Sequence, residues 1–302
     1  MANIIKHGAS PFLAGFTLVD VKGADDLMIR AAIGGSGPPL LLLHGHPQTH
    51  ITWRKIAPAL AQRFTVVAPD LRGYGDSAKP AGGHNHIAYS KREMAKDQVN
   101  VMRALGFGRF AVVGHDRGGR VAHRLALDHP DKVERIAVLD IAPTATMYEK
   151  TDKNFATRYF WWFFLIQPAP LPERLIAADP AFFLKTHIEG QIKTPGATEP
   201  AAFAEYLRCY SDPRTRHAIC EDYRAAASID LDHDEADKTS KIQAPLLALW
   251  GAHGTVGQLY DVPATWRAKA VHVEGQALAC GHTLQEEQPE ATLQTLLAFL
   301  ER

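Results

Sequence analysis

Residues 112–120, Val112-Val113-Gly114-His115-Asp116-Arg117-Gly118-Gly119-Arg120, constrain the fold of this chain more than any other stretch. An apolar run leads into three glycines that flank one carboxylate. Glycine serves where backbone must pass close to backbone. A buried strand, a sharp turn and a helix in that order make a nucleophile elbow, which holds its central side chain in strained geometry at the end of a parallel strand. The central residue is Asp116 and not a serine. A carboxylate is a poor nucleophile towards an ester, because the anhydride it would form is no easier path. It attacks a saturated carbon that bears a leaving group, and water must then cleave the resulting ester. Aspartate is also a common helix N-cap, but a plain cap needs neither the strand before it nor glycines at 114, 118 and 119.

The rest of the chain fits around that elbow. Phe16–Val21 and Leu27–Ile33 alternate in part and read as paired edge strands. Leu40–Leu43, Phe64–Ala68, Phe110–Gly114, Ile136–Leu139, Pro245–Trp250 and Ala270–Val273 read as buried parallel strands. Helices are expected over Trp53–Gln62, Ser90–Leu105, Arg117–Asp128 and Pro289–Glu301. This alternation predicts an α/β fold with a mostly parallel, eight-stranded sheet. From Pro143 to Lys241 strand signals are few and aromatics many. That segment reads as a helical cap over 143–241, inserted into a core of 1–142 and 242–302.

Composition removes several classes of function. Lys plus Arg and Asp plus Glu both number 33, so no basic field exists to hold nucleic acid or an anionic membrane. Met1–His7 lacks the apolar core of a secretion signal, and Tyr159–Ile166 is too short to span a bilayer. Cys209, Cys220 and Cys280 are odd in number and lack C-x-x-C spacing, which reads as reduced thiols in a cytoplasmic protein.

An ester on Asp116 needs a base and an oxyanion hole. His282, in Cys280-Gly281-His282, follows the last expected strand and precedes the last helix, the chain position of a base in the order nucleophile, acid, histidine. It would activate water and take no proton from Asp116. Its orienting acid could follow Leu246–Trp250, but that loop holds no carboxylate before Asp261. Asp140, at the carboxyl end of Ile136–Leu139 and framed by apolar residues, is the better candidate. The N–H groups of Arg117 and His46 are expected to form the oxyanion hole. His44 and His46 have no third ligand nearby, so no metal is expected. No Walker loop or strand-linked G-x-G-x-x-G supports a nucleotide. Asp230–Asp234 opens like a calcium loop but lacks its glycine and its final glutamate, and reads as a solvated loop between cap and core. Arg117 and Arg120 lie three apart at a helix start, where the macrodipole disfavours cations. A bound carboxylate would offset that opposition. Surface arginines bridged to acids are the simpler alternative.

With these residues the chain resembles the haloacetate dehalogenases of the α/β-hydrolase superfamily, the group that contains fluoroacetate dehalogenases. The likeness rests on Gly114–Arg120, on Asp70-Leu71-Arg72-Gly73-Tyr74-Gly75-Asp76-Ser77, on Cys220-Glu221-Asp222-Tyr223-Arg224 and on Gly281-His282. It implies Asp116 as nucleophile, His282 as base, Asp140 as its partner, Arg117 and Arg120 as a carboxylate clamp, no cofactor, and a homodimer. It also implies a halide pocket formed by Trp161, Trp162 and Tyr223. In that family the position of Trp161 usually holds histidine, and that of His46 phenylalanine. A bulkier ring with one donor at 161 weighs against fluoride more than against chloride or bromide. The expected reaction is therefore hydrolysis of a small 2-haloacid to the hydroxy acid and halide. Epoxide hydrolysis, which also uses an elbow aspartate, is the sibling reading, but it leaves Arg117 and Arg120 without a role. A non-catalytic binder of small acids is the third.

Overall fold

The computed structural model describes residues 4–302; Met1–Asn3, part of the stretch read above for a secretion signal, lie outside the described residues. Among the described residues nine strands form one sheet: β1 (Ile5–Ala9), β2 (Thr17–Lys22), β3 (Met28–Gly34), β4 (Pro39–Leu43), β5 (Thr65–Pro69), β6 (Phe110–His115), β7 (Val133–Leu139), β8 (Leu246–Gly251) and β9 (Val273–Leu278). Their order is β1-β2-β3-β5-β4-β6-β7-β8-β9. The pairs β1–β2, β2–β3 and β3–β5 are antiparallel, and every pair from β5–β4 to β8–β9 is parallel. Leu40–Leu43 and the whole of β6 are buried, as the continuous apolar runs require of strands covered on both faces. Each leucine so buried contributes roughly 1.5–3 kcal/mol before conformational entropy is set against it.

This order positions the site. Strand β4 has β5 on one side and β6 on the other, so the chain leaves β4 one way and returns on the opposite side. The loops at the carboxyl ends of β4 and β6 diverge there and open a crevice. His44–His46 leaves β4, Asp116 ends β6, Asp140 ends β7, and His282 follows β9. Every element between β7 and β8 is a helix, and the Pro213–Ala226 helix carries Asp222 and Tyr223 down to the core. No described helix is long and apolar enough to cross a membrane.

Four local expectations need correction. The sheet has nine strands and not eight, because β1 adds at the edge through its ladder with β2 and a His7–Asp20 side-chain contact at 2.7 Å; all five of its residues are exposed, so no apolar pattern marks it. The single helix over Trp53–Gln62 is instead a 3-10 turn at His50–Trp53 and a short helix at Ala57–Leu60 that begins around Pro58; proline disfavours helical geometry in the residue before it and suits a helix start. The last strand is Val273–Leu278 and not Ala270–Val273. It forms the edge of the sheet, so residues 274–277 are exposed and carry no apolar run, and the apolar Ala270 makes only an isolated bridge to Ile242. The acidic run is no solvated loop: it lies in the Ile229–Ala236 helix, with Asp230 and Asp232 in the first turn, where the helix dipole favours carboxylates. Asp230 is buried and accepts the Lys91 N–H at 2.8 Å.

Candidate active site

The elbow is as tight as its glycines imply. Asp116 has φ 47° and ψ −116°, a conformation that L-residues hold only when their surroundings impose it. A Cβ at Gly118 would come within 2.4 Å of the Leu43 and His44 carbonyl oxygens, so β4 and the elbow helix (Arg117–Asp128) can approach only through glycine. Gly45 has the same reason: a Cβ there would meet the Asp116 Cβ at 2.4 Å. That approach lets the His46 N–H donate to Asp116 Oδ1 at 2.9 Å. The Arg117 N–H, expected beside it, makes no hydrogen bond to the Asp116 carboxylate among the described residues.

His282 and Asp140, the expected base and its acid, come together from loops 142 residues apart. His282 Nδ1 lies 2.6 Å from Asp140 Oδ2, and Gly251 N–H donates to the other oxygen, Oδ1, at 2.9 Å. His282 Nε2 therefore faces Asp116, at 3.8 Å from Oδ2. Burial alone would lower the His282 pKa, but bonding to Asp140 and the charges of Asp140 and Asp116 outweigh it and raise it. Burial alone would raise the Asp116 pKa, but His282, His115, Arg120 and Arg117 hold it well below the carboxylate range. A carboxylate so held is ionised at any working pH, as the role expected of Asp116 requires. His115 locks the base loop to the elbow by donating to the His282 carbonyl at 2.9 Å. Burial depresses its own pKa to about 3.

The two arginines are not surface residues: Arg117 is fully buried and Arg120 is 3% exposed. Asp222 takes Arg117 Nε at 2.9 Å on one carboxylate oxygen and Nη2 at 2.7 Å on the other. Tyr74 O–H donates to the same carboxylate at 2.6 Å, and Lys91 Nζ also bonds it. Arg117 Nη1 is left buried without a partner. Arg120 has no carboxylate partner among the described residues. Its Nη1 donates to the Ala142 carbonyl at 3.1 Å and to Thr144 Oγ1 at 2.9 Å, its Nη2 contacts Met147 Sδ at 3.2 Å, and its Nε is unpartnered. Burial, and then the neighbouring Arg117, lower the Arg120 pKa. Two buried guanidiniums thus hold donors in reserve, and one of them lacks a counter-ion. A small carboxylate supplies both needs.

The aromatic residues expected at the leaving group adjoin this pair. The Arg117 guanidinium lies 4.2 Å from the Tyr223 ring centroid, and that of Arg120 lies 4.7 Å from Trp162. Tyr223 O–H reaches His46 Nδ1 at 3.3 Å. Trp161 packs edge-on against Tyr159, Phe160 and His187. The His46 side chain, for which only the backbone had a role, sits between Tyr210, Tyr223 and His187, and burial depresses its pKa to about 3. Sequence reasoning missed Asp222, Lys91 and Tyr74 as the brace of Arg117, although Asp222 stands next to Tyr223 in the quoted motif. It also missed His187, which nothing in its local sequence marks.

Residues 38–289 match the family model of the alpha/beta hydrolase fold. A fluoroacetate dehalogenase from Burkholderia sp. is 45% identical over 94% of this chain and 92% of its own length. A soluble epoxide hydrolase from Corynebacterium sp. strain C12 is 36% identical over 88% of this chain and 91% of its own. Among solved structures, a Salmonella enterica protein described provisionally as an acyltransferase superposes with a TM-score of 0.98 at 65% identity, covering 98% of this chain and 99% of that one.

Proposed function

Because the chain belongs to the α/β-hydrolase fold family, we propose that its site works as that of a haloacetate dehalogenase, hydrolysing a 2-haloacid to the 2-hydroxy acid and halide. The observation that carries this reading is an elbow aspartate beside two buried arginines whose free donors, Arg117 Nη1 and Arg120 Nε, await an anion. In the reaction the substrate carboxylate binds those donors, which sets its α-carbon before Asp116. Asp116 attacks that carbon in line, the carbon–halogen bond breaks, and the halide leaves with the bonding pair towards Trp161, Trp162 and Tyr223. The product is an ester of Asp116. His282, oriented by Asp140, then takes a proton from a water that attacks the ester carbonyl, and the His46 N–H stabilises the oxyanion. The hydroxy acid leaves, and Asp116 regains its charge.

The higher identity to the fluoroacetate dehalogenase than to the epoxide hydrolase supports the same choice. Epoxide opening would need cap hydroxyls free to protonate the leaving oxygen. It would also leave the free donors Arg117 Nη1 and Arg120 Nε without a role. The acyltransferase description of the Salmonella protein does not extend to an elbow that carries Asp116. A non-catalytic binder has no use for the His282–Asp140 pair.

The proposed working form is a cytoplasmic homodimer. Three unpaired cysteines support a reducing compartment. Exposed Phe160, Leu171, Leu175 and Phe182 on the inserted helical segment supply apolar surface for a second copy. The test of function is halide release from fluoro-, chloro- and bromoacetate with an epoxide as control. Halide release with no diol from the epoxide supports the reading, and the reverse pattern overturns it.

A further inference from the structure

His187 lies on the Pro180–Gln191 helix, in the inserted helical segment, and is 5% exposed. Its ring packs edge-on against Trp161, with centroids 4.4 Å apart, and against His46, with centroids 4.5 Å apart. His46 in turn donates its backbone N–H to the nucleophile. The charged and titratable groups that act on His187 are His46, Asp116 and His282, all three belonging to the site. Burial keeps the imidazole well below its ordinary pKa, so it is neutral. Gln191 Nε2 donates to His187 Nε2 at 2.8 Å. An imidazole nitrogen that accepts a hydrogen bond carries no proton, so the proton is on Nδ1. That Nδ1 is buried without a partner among the described residues. A buried, unmatched donor is costly and calls for an explanation.

The helix is held in place at the same end. The Gln191 carbonyl accepts the His282 N–H at 3.2 Å, so the residue that sets the His187 tautomer also docks on the base loop. Through it the base, the helix and the Trp161 ring form one contiguous unit.

We infer that His187 is a specificity-determining residue: its Nδ1–H donates a hydrogen bond to the departing halide, beside Trp161, Trp162 and Tyr223. The inference rests on the dehalogenase reading above. As the carbon–oxygen bond to Asp116 forms, the carbon–halogen bond breaks and the halide takes the electron pair. His187 keeps its proton throughout and only stabilises the new charge. Fluoride concentrates that charge in the smallest volume, so it gains most from a further donor, and bromide gains least. The ring at position 161 thus need not set the halide preference alone, because a second cap helix brings an imidazole to its edge.

The test compares wild type, His187→Phe and His187→Asn on fluoroacetate and bromoacetate. Loss of one preorganised donor to developing charge costs about 100-fold in kcat. His187→Phe is expected to lose about that factor on fluoroacetate and far less on bromoacetate. His187→Asn, which keeps a donor, is expected to recover part of the fluoride release. Bromoacetate turnover reports that both variants fold. Equal losses on the two substrates, or no fluoride release by wild type, would overturn the assignment of His187 while leaving the dehalogenase reading intact. Failure of wild type on bromoacetate would overturn that reading itself.

Discussion

His282 Nε2 stands 3.8 Å from Asp116 Oδ2, while its Nδ1 is bonded to Asp140 at 2.6 Å. The proposed base is thus close to the proposed nucleophile but beyond hydrogen-bond reach of it. In the proposed reaction Asp116 needs no deprotonation, and the gap leaves His282 free to act on a water approaching the ester. This division of labour separates the two chemical steps, and the steps can be tested apart.

Asp116→Asn removes the attacking charge and preserves the shape of the elbow. Halide release is expected to fall by about 10⁴-fold or more, the scale seen when a covalent nucleophile is removed. Halide-selective measurement with each haloacetate checks this. Fresh protein is needed, because slow deamidation of the new Asn would restore activity.

Arg120→Met tests the clamp against stability. Arg120 is a buried cation with no carboxylate partner, so replacing it with a side chain of similar length removes a desolvation cost. Thermal unfolding is expected at an unchanged or higher temperature. Hydrogen bonds to a charged group contribute about 1.5–3 kcal/mol, so kcat/KM for haloacetate is expected to fall by roughly 10- to 100-fold. A lower Tm with unchanged kcat/KM would contradict the assigned role.

Asp222→Asn tests the brace. Asp222 is matched by Arg117 and Lys91, so its loss leaves buried positive charge uncompensated. Breaking a buried pair in this way costs about 3–5 kcal/mol, which a denaturant titration would read. Burial alone would raise the Asp222 pKa, but Arg117 and Lys91 outweigh it and depress it below its ordinary 3.8. Its stabilising effect is therefore complete above that ordinary value and is lost as pH falls from there through the folded-state value. The variant should lose less stability than wild type on acidification.

The pH dependence follows from His282. Its pKa is raised above 6.5 in the folded protein, so its contribution to stability is complete below that value and is lost as pH rises through the folded-state one. Catalysis runs the other way, because the base must be neutral. Ester hydrolysis is expected to speed up as pH climbs through the raised pKa, while alkylation of Asp116 is not. Esterification removes the Asp116 charge, so the pKa governing hydrolysis lies below that of the free enzyme. Rapid-quench kinetics across the range of about pH 5–9 should show a halide burst that grows towards acid pH.

The core and the convergence of Asp116, Asp140 and His282 were legible because local pattern and chain order carry them. Continuous apolar runs marked β4 to β8, and Gly114, Gly118 and Gly119 marked the elbow. Asp140 was found by the lack of a carboxylate in the loop after β8. Strands β1 and β9 were missed or displaced because an exposed edge strand has no burial to impose a pattern. Lys91, Asp222 and His187 could not be placed from sequence. Their meaning lies in contacts between segments about a hundred residues apart, such as Lys91 with Asp222 across 131 positions. The Arg117–Arg120 pair was visible as an oddity of helix electrostatics, but the way Asp222 leaves Nη1 free was not.

The most direct measurement of the central claim is the intact mass of His282→Asn protein after exposure to bromoacetate. With nucleophile and clamp intact and the base removed, the protein should gain one carboxymethyl group, released by proteolysis on a peptide that contains Asp116. A protein whose mass does not change, or one modified at a residue other than Asp116, would contradict the ester mechanism.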